Sequence, residues 1–417
     1  MKHFFLLAGF ITLGGIPSAA RTWVVAPGTA LANISDALAK ARPYDTVLVQ
    51  AGTYRERSLT VDKPLTLRGE GWPVLDGETK YQPLSIRANF VSVSGFQVVR
   101  CGSASMEDIA GIKVYKGRFV YIFNNILEDN YFGIYLSGCK NCWVSGNRLQ
   151  ARGTVEQSSG NGIHAWKCDS ISITDNRIAG HRDGIYFEFV TNSSILRNHS
   201  EGNIRYGLHF MFSHNDTYQY NTFRQNGAGV AVMYTRNVTM TQNTFAQNRG
   251  GASYGLLLKD IQGSHISDNL FSENTVAIYM EGCTRSHFEH NIFQQNGWAL
   301  KVQASCDNNA FRYNNFFANT FDISTNSDLV LNVFEKNYWD KYEGYDLNRD
   351  GKGDVPYRPV SLFAMVSDQM PYAMMFWRSF TVFLLDRAEK VIPSLSPDNL
   401  RDLAPLMKPY VTRTATQ

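Results

Sequence analysis

The chain has 417 residues, 44% of them hydrophobic, which excludes a disordered protein and allows one long domain or two ordinary ones. Its 40 basic and 37 acidic residues leave a formal net charge of +3 without runs of like charge, which argues against nucleic acid as the partner. Six cysteines in a chain of this length exclude a small disulfide scaffold.

The first twenty residues, MKHFFLLAGFITLGGIPSAA, read as a cleaved signal peptide. Lys2 is the positive start, Phe4 to Ile16 the apolar stretch, and Ser18 and Ala20 the small residues before the cut. A membrane anchor would need about 20 apolar residues. The mature chain is therefore expected to work outside the cytoplasm. Next comes an amphipathic helix, expected over Ile34 to Ala41, followed by a strand. Such a helix would cap the open end of a solenoid and protect it from edge pairing.

A short phrase then recurs, as in SGNRL, TDNRI, QYNTF, TQNTF, SDNLF and EHNIF. Its marker asparagines are Asn125, Asn147, Asn176, Asn198, Asn221, Asn243, Asn269, Asn291, Asn314 and Asn337. Successive gaps are 22, 29, 22, 23, 22, 26, 22, 23 and 23. Each repeat contains short stretches that alternate apolar and polar residues, the strand pattern. A period of about 22 with two or three strands per repeat specifies an all-β fold, a right-handed parallel β-helix spanning residues 21–345. Coils would stack about 4.8 Å apart. The marker asparagine would sit at a bend with its amide in a ladder. A leucine-rich repeat would need a Leu-rich motif and a helix or extended segment, and neither is present.

The register sorts inside from outside. Positions thirteen and eleven before each marker are apolar (Ile163/Ala165, Ile185/Phe187, Leu208/Phe210, Val230/Val232, Leu256/Leu258) and must face the core. Fourteen before the marker are Gly162, Gly184, Gly207, Gly229 and Gly255, read as a bend column. Positions twelve and ten must then point outward: His164/Trp166, Tyr186/Glu188, His209/Met211, Ala231/Met233, Leu257/Lys259 and Tyr279/Glu281. An outer face with His and Met on successive coils needs a reason. Imidazole and thioether suit Cu(I), so the candidate metal ligands are His209, Met211, Met233, Glu188 and His164, with His214 past the strand end as a further one. A patch packed under a loop or partner is the competing explanation. His181, Arg182 and Asp183, with Tyr186 and Trp166, would form supporting contacts or a satisfied turn.

Cys139, Cys168, Cys283 and Cys306 all lie eight residues before a marker. They read as a column of small buried side chains, or as two disulfides between neighbouring coils. The CKNC at Cys139 and Cys142 has no second cysteine pair at metal-site spacing. The segment 346–360 opens with DLNRDGKGD. Asp346, Asn348, Asp350 and Asp354 resemble part of a calcium loop, but Tyr357 stands where the bidentate Glu belongs, and a rigid turn fits equally. The tail, 361–417, is rich in Met and aromatics. A helix is expected over Tyr372 to Lys390, with Pro371 in its first turn. It would fold over the last coil, or dock on a membrane partner through Met365, Met370, Met374, Met375, Phe376, Trp377, Phe380 and Phe383.

Parallel β-helices also bind or cleave polysaccharide. A uronate lyase or epimerase would need clustered carboxylates beside a Lys, Arg or His. His181, Arg182, Asp183 and Glu188 are the one dense set of that kind. No nucleophile motif, Walker loop or dinucleotide fingerprint occurs.

The runs GNGIHAW, GHRDGIYFEF, RYGLHFMFSHND and GAGVAVMYTRNV, with NYWDKYEGYDLNRDGKGDVPYRP, resemble the NosD family over nearly the whole mature chain. The resemblance implies a periplasmic accessory protein for maturation of nitrous oxide reductase. It implies a CASH-type β-helix seated on the permease and ATPase of an ABC transporter. It also implies a non-enzymatic role in delivering copper or assembling the copper–sulfur site of the reductase. The family's HFM segment falls on His209 and Met211. On this resemblance the tail, Ala364 to Leu385, would contact the transporter's membrane subunit. A copper chaperone would pass Cu(I) to the Met/His face, which holds it transiently.

Overall fold

The computed structural model describes residues 20–103, 107–153, 155–326, 331–377, 379–391 and 400–410. The expected signal peptide, except Ala20, lies outside them. The chain coils into three parallel sheets of 14, 12 and 13 strands. The first runs from Thr22–Val25 to Leu331–Glu335, the second from Leu59–Val61 to Phe321–Thr325, and the third from Thr53–Tyr54 to Tyr338–Trp339. This is the expected β-helix, with each complete coil contributing one strand to each sheet.

The recurring phrase divides its work between two residues. From Asn147 onward, the side-chain oxygen of each marker asparagine accepts both the backbone amide and the Nδ2 of the marker one coil earlier, as Asn243 does from Asn221 at 3.0 and 2.9 Å. Its Nδ2 donates onward to the next marker and also to a carbonyl, as Asn243 does to Asn269 Oδ1 at 3.0 Å and Tyr218 O at 2.9 Å. Ladder and backbone together satisfy polar groups that burial would otherwise leave unpaired. Two residues on, the side chain enters the core. Phe223, Phe245, Phe271, Phe293, Phe316 and Trp339 stack in one interior column with centroids 4.0–5.7 Å apart.

A second amide ladder stands five residues after the first, through Asn203, Asn226, Asn248, Asn274, Asn296 and Asn319. Its signal, the second Asn in NTFRQN, NTFAQN and NIFQQN, is plain in the sequence. Of the glycine column only Gly162 lies at a bend; Gly184, Gly207, Gly229 and Gly255 lie within strands. A Cβ on Gly184 would lie 2.6 Å from the carbonyl oxygen of Gly207, and one on Gly229 would lie 2.3 Å from that of Gly255. These positions require glycine because consecutive backbones approach too closely for a side chain.

Both ends are closed. Helix Ile34–Lys40 buries Ile34, Ala37 and Leu38 over the first coil, and the Glu56 carboxylate accepts the Ile34 and Ser35 amides at its N-terminus. At the other end the Asn ladder terminates on Asp402. Its carboxylate accepts from the amides of Lys336 and Asn337, from Asn337 Nδ2, and from the Trp339 indole at 3.1 Å.

The single tail helix expected over Tyr372 to Lys390 is divided. Helix Leu362–Gln369 is followed by a 3-10 turn, Pro371–Phe376, and then by helix Phe380–Val391. Pro371 cannot donate the amide that would continue the first helix, and Met370 leaves helical geometry before it. Trp377 is extended (ψ 130°) and packs edge-on against Phe321 at 4.9 Å, which separates the turn from the last helix.

Asp402→Ala should lower the melting temperature and accelerate amide exchange over residues 331–339. Each orphaned buried donor costs about 1–3 kcal/mol. Asp402→Asn, which retains an acceptor, should lose less, as differential scanning calorimetry of the two variants would measure.

Candidate metal site and its surroundings

The pairing places the two predicted columns in register residue by residue. His164 pairs with Tyr186, Tyr186 with His209 and His209 with Ala231. Trp166, Glu188, Met211, Met233, Lys259 and Glu281 follow one another in the adjacent column. Leaving the core is not the same as reaching solvent, however. His164 and His209 are only 9% and 5% exposed.

The aromatic stack explains the burial. Tyr135, His164, Tyr186 and His209 succeed one another with centroids 4.4, 4.7 and 4.9 Å apart. Phe132 lies edge-on to His164, and Tyr206 packs on His209 at 4.8 Å. Tyr186 therefore sits between the two imidazoles, and they cannot converge on one ion. Burial pushes His164 down to about 3, with Arg182 adding repulsion, so its ring is neutral. Its Nδ1 is 3.0 Å from Asn161 Nδ2, and Arg182 Nε donates to Asn161 Oδ1 at 3.2 Å.

His209 belongs to a charged cluster. Arg205 Nε donates to Asp183 Oδ1 at 2.9 Å and its Nη2 to Oδ2 at 2.5 Å. His209 Nδ1 lies 3.5 Å from Arg205 Nη2 and 3.7 Å from Asp183 Oδ2, while its Nε2 is buried without a partner. Burial opposes ionisation of Asp183, but the His209 and Arg205 donors outweigh it and hold the carboxyl below the usual range. Extra residues of the 29-residue coil reach this cluster, where Glu156 pairs with Arg205 at 3.3 Å. His181 occupies the second Asn ladder, donating its amide to Asn203 Oδ1 at 3.1 Å. Its ring nitrogens are buried and unpartnered, and burial depresses it to about 4. Of the residues named with Asp183 in the sequence, Arg182 lies 3.8 Å from its carboxylate; Arg205, absent from that set, pairs with it directly, and Asn161 links Arg182 to His164.

The thioethers lie differently. Met211 and Met233 are in-register neighbours and half-exposed, and Tyr186 Oη approaches Met211 Sδ at 3.6 Å. Glu188 and Trp166 precede them, and the Lys259–Glu281 ion pair at 3.3 Å closes the column. One residue further round each coil stands a ridge of exposed aromatics. Phe189 stacks on Phe212 at 5.2 Å and Phe212 on Tyr234 at 5.0 Å. All three corners have φ of 50–57°. The column nine before the marker would have revealed this ridge.

Other candidates lie elsewhere. His214 is on the next corner, pairing with Thr191, and its Nδ1 accepts the Arg236 amide at 3.3 Å. Asp346 and Asp350 accept amides of their own loop, and Lys352 neutralises Asp350 at 3.3 Å. Asp354 accepts the Leu347 amide at 2.7 Å, and Asn348 that of Asp350. The loop supports the closing segment, since Gly353 donates to Pro405 O. Among the described residues, no three His, Cys, Asp or Glu side chains are grouped to hold a metal. All six cysteines are buried free thiols. In the tail, Met365, Met374 and Trp377 pack inward, whereas Met370, Met375, Phe376, Phe380 and Phe383 are exposed, Met375 by 85%.

Behind His209 and Met211 the core contains a polar surprise. Asp216 is 1% exposed, with Oδ1 accepting the Ser193 amide at 2.8 Å and Oδ2 unpartnered. Burial raises its carboxyl to about 8 against the Ser193 amide, with Asp169 adding repulsion. The neighbouring Tyr218 hydroxyl is also buried and unpartnered, beneath Phe210 at 4.2 Å.

A family model described as "Periplasmic copper-binding protein (NosD)" matches residues 145–348. Two relatives, both named "Probable ABC transporter binding protein NosD", are similar over most of the chain. That of Stutzerimonas stutzeri is 27% identical over 379 residues, covering 86% of each chain. That of Pseudomonas aeruginosa is 27% identical over 410 residues, covering 92% of this chain and 95% of the relative. Among solved structures, the catalytic unit of a GH87 α-1,3-glucanase from Streptomyces thermodiastaticus has a TM-score of 0.61 at 14% identity, covering 78% of this chain and 69% of the enzyme. The surface adhesin PfbA of Streptococcus pneumoniae has a TM-score of 0.53 at 14% identity, covering 70% and 88%. At such identities the likeness is one of fold. Among the described residues, no helix is long and apolar enough to cross a membrane.

Asp216 generates a pH test. Its folded pKa lies above the unfolded value, so the native state binds the extra proton and stability falls as pH rises from about 4 to about 8. Asp216→Asn preserves the Ser193 acceptor and removes the buried charge. Its melting temperature relative to the parent should rise steadily across that window; a pH-independent difference would exclude Asp216 as the titrating group.

Proposed function

Because the chain belongs to the NosD family, we propose that it is a periplasmic accessory protein that carries Cu(I) on the Met211–Met233 pair for maturation of nitrous oxide reductase, docked on an ABC transporter. The observation that carries this reading is the in-register thioether pair at the surface, bordered by Glu188 and the Phe189–Phe212–Tyr234 ridge. Thioether sulfur suits Cu(I) and not harder competing cations. Two such donors leave the ion under-coordinated by the protein, which favours release over storage. A copper chaperone or the reductase would complete the ligand set while resting on the aromatic ridge. His164 and His209 act in this reading as a rigid aromatic backing, since both are packed between tyrosines.

The exposed tail residues Met370, Met375, Phe376, Phe380 and Phe383 would meet the permease, whose ATPase partner supplies the energy that moves the carrier. An enzyme is disfavoured on the residues present. The column neighbours of Glu188 are Trp166 and Met211 and not a second carboxylate, and Asp183 is fully buried under Arg205.

Two experiments test the reading. In chelator competition for Cu(I), the Met211→Leu/Met233→Leu double variant should bind at least about tenfold more weakly, a change of about 1.4 kcal/mol. His209→Phe should bind as the parent does; equal affinity in all three proteins would remove the Met pair from the site. Separately, Met375→Ser/Phe376→Ser/Phe380→Ser should abolish co-purification with the permease and leave the melting temperature unchanged. Undiminished co-purification would place the contact elsewhere.

A further inference from the structure

The outer face of the 13-stranded sheet carries an arrangement for which copper carriage has no use. Arg148, Arg177 and His199 lie in register on three successive coils, and Gln150, Ala179 and Glu201 form the parallel column two residues on. The column of Arg148 otherwise contains only uncharged residues, from Thr53 to Ile126 before it and from Thr222 to Tyr338 after it. Two guanidinium side chains thus rise from backbones about 4.8 Å apart, a spacing at which like charges repel.

Three arginines elsewhere on the molecule show the usual relief by a carboxylate: Arg197 meets Asp175 at 2.7 Å, Arg205 meets Asp183 at 2.5 Å, and Arg312 meets Glu335 at 3.3 Å. Arg148 and Arg177 are exposed and make no ion pair among the described residues. The two nearest acids in the neighbouring column are both engaged: Glu201 by His199 Nε2 at 3.0 Å, and Glu128, one rung before Gln150, by Gln97 Nε2, from which it accepts at 3.0 Å. The small side chain of Ala179 leaves open a groove of about 400 Å³, lined by Arg148, Arg177, Gln150, His199 and Glu201. A like-charged pair beside an open groove is relieved by an anion lying between the two, and the guanidinium fork matches two oxygens of one group.

We infer that this groove binds an oxyanion of the phosphate type, bridged by Arg148 and Arg177. It is a second site, on a different sheet from the thioether pair and independent of it. The ligand is a free phosphate or the headgroup of an anionic lipid, since both offer the same oxygens.

The mature full-length protein would be titrated calorimetrically with inorganic phosphate at low salt, with chloride at equal ionic strength as control. It would also be floated with phosphatidylglycerol vesicles. Phosphate should bind and raise the melting temperature, and Arg148→Gln and Arg177→Gln should each weaken binding at least tenfold. In phosphate-free buffer both variants should melt no lower than the parent, because the substitution removes repulsion; this separates loss of a ligand from loss of fold. Co-flotation that depends on both arginines would assign the anion to a lipid headgroup, and binding of phosphate alone to a free anion. Equal responses to phosphate and chloride together with no vesicle binding, or undiminished binding by the double variant, would overturn the inference.

Discussion

The amide ladder fixes everything else in this molecule. A marker asparagine bonds to the coil before it and the coil after it, so its position along the axis is set by its neighbours and not by the local strand. Each coil is held in phase at that point. The side chains at any given distance from the marker then fall into straight columns, apolar ones inside and others outside. The phenylalanine column, the glycine column, the thioether pair and the stacked arginines are all consequences of the same phase.

What could be read in the sequence follows the same boundary. The interval between Asn176, Asn198 and Asn221 defined the coil, and counting back from it assigned Ile185 and Phe187 inward and Tyr186 and Glu188 outward, as the structure has them. The fold and the column membership of His209 and Met211 were therefore legible. Whether an outward side chain is exposed was not, because that depends on what lies over it. His209 is covered by Tyr206 from its own strand and by Arg205, which is drawn in by Asp183 one coil away. The closing of the ladder by Asp402 was equally hidden, since it rests on a contact 65 residues distant in sequence from Asn337. The second ladder and the Phe189–Phe212–Tyr234 ridge were present in the pattern and needed only the same counting at other offsets.

The outer face of the middle coils divides into a hard half and a soft half. On one side, Asp183, Arg205 and Glu156 form a partly buried ionic cluster that packs the imidazoles against tyrosines. On the other, thioethers and aromatic edges face solvent, with the Lys259–Glu281 pair as the limit. Buried ionic clusters fix geometry more than they add stability. Here the cluster holds the backing against which the soft donors stand, so the two halves have complementary parts in one surface.

Two of the long coils reveal how such a scaffold accommodates change. The gaps of 29 and 26 residues keep their asparagines in phase, with Asn147 donating to Asn176 at 3.0 Å and Asn243 to Asn269 at 2.9 Å, as in coils of ordinary length. Additional residues are extruded at the corners and leave the rise per coil untouched. Loop length is thereby uncoupled from axial position. The β-helix acts as a ruler with fixed graduations, along which a surface loop such as the one bearing Glu156 can be lengthened, shortened or exchanged without displacing any other column by a single rung.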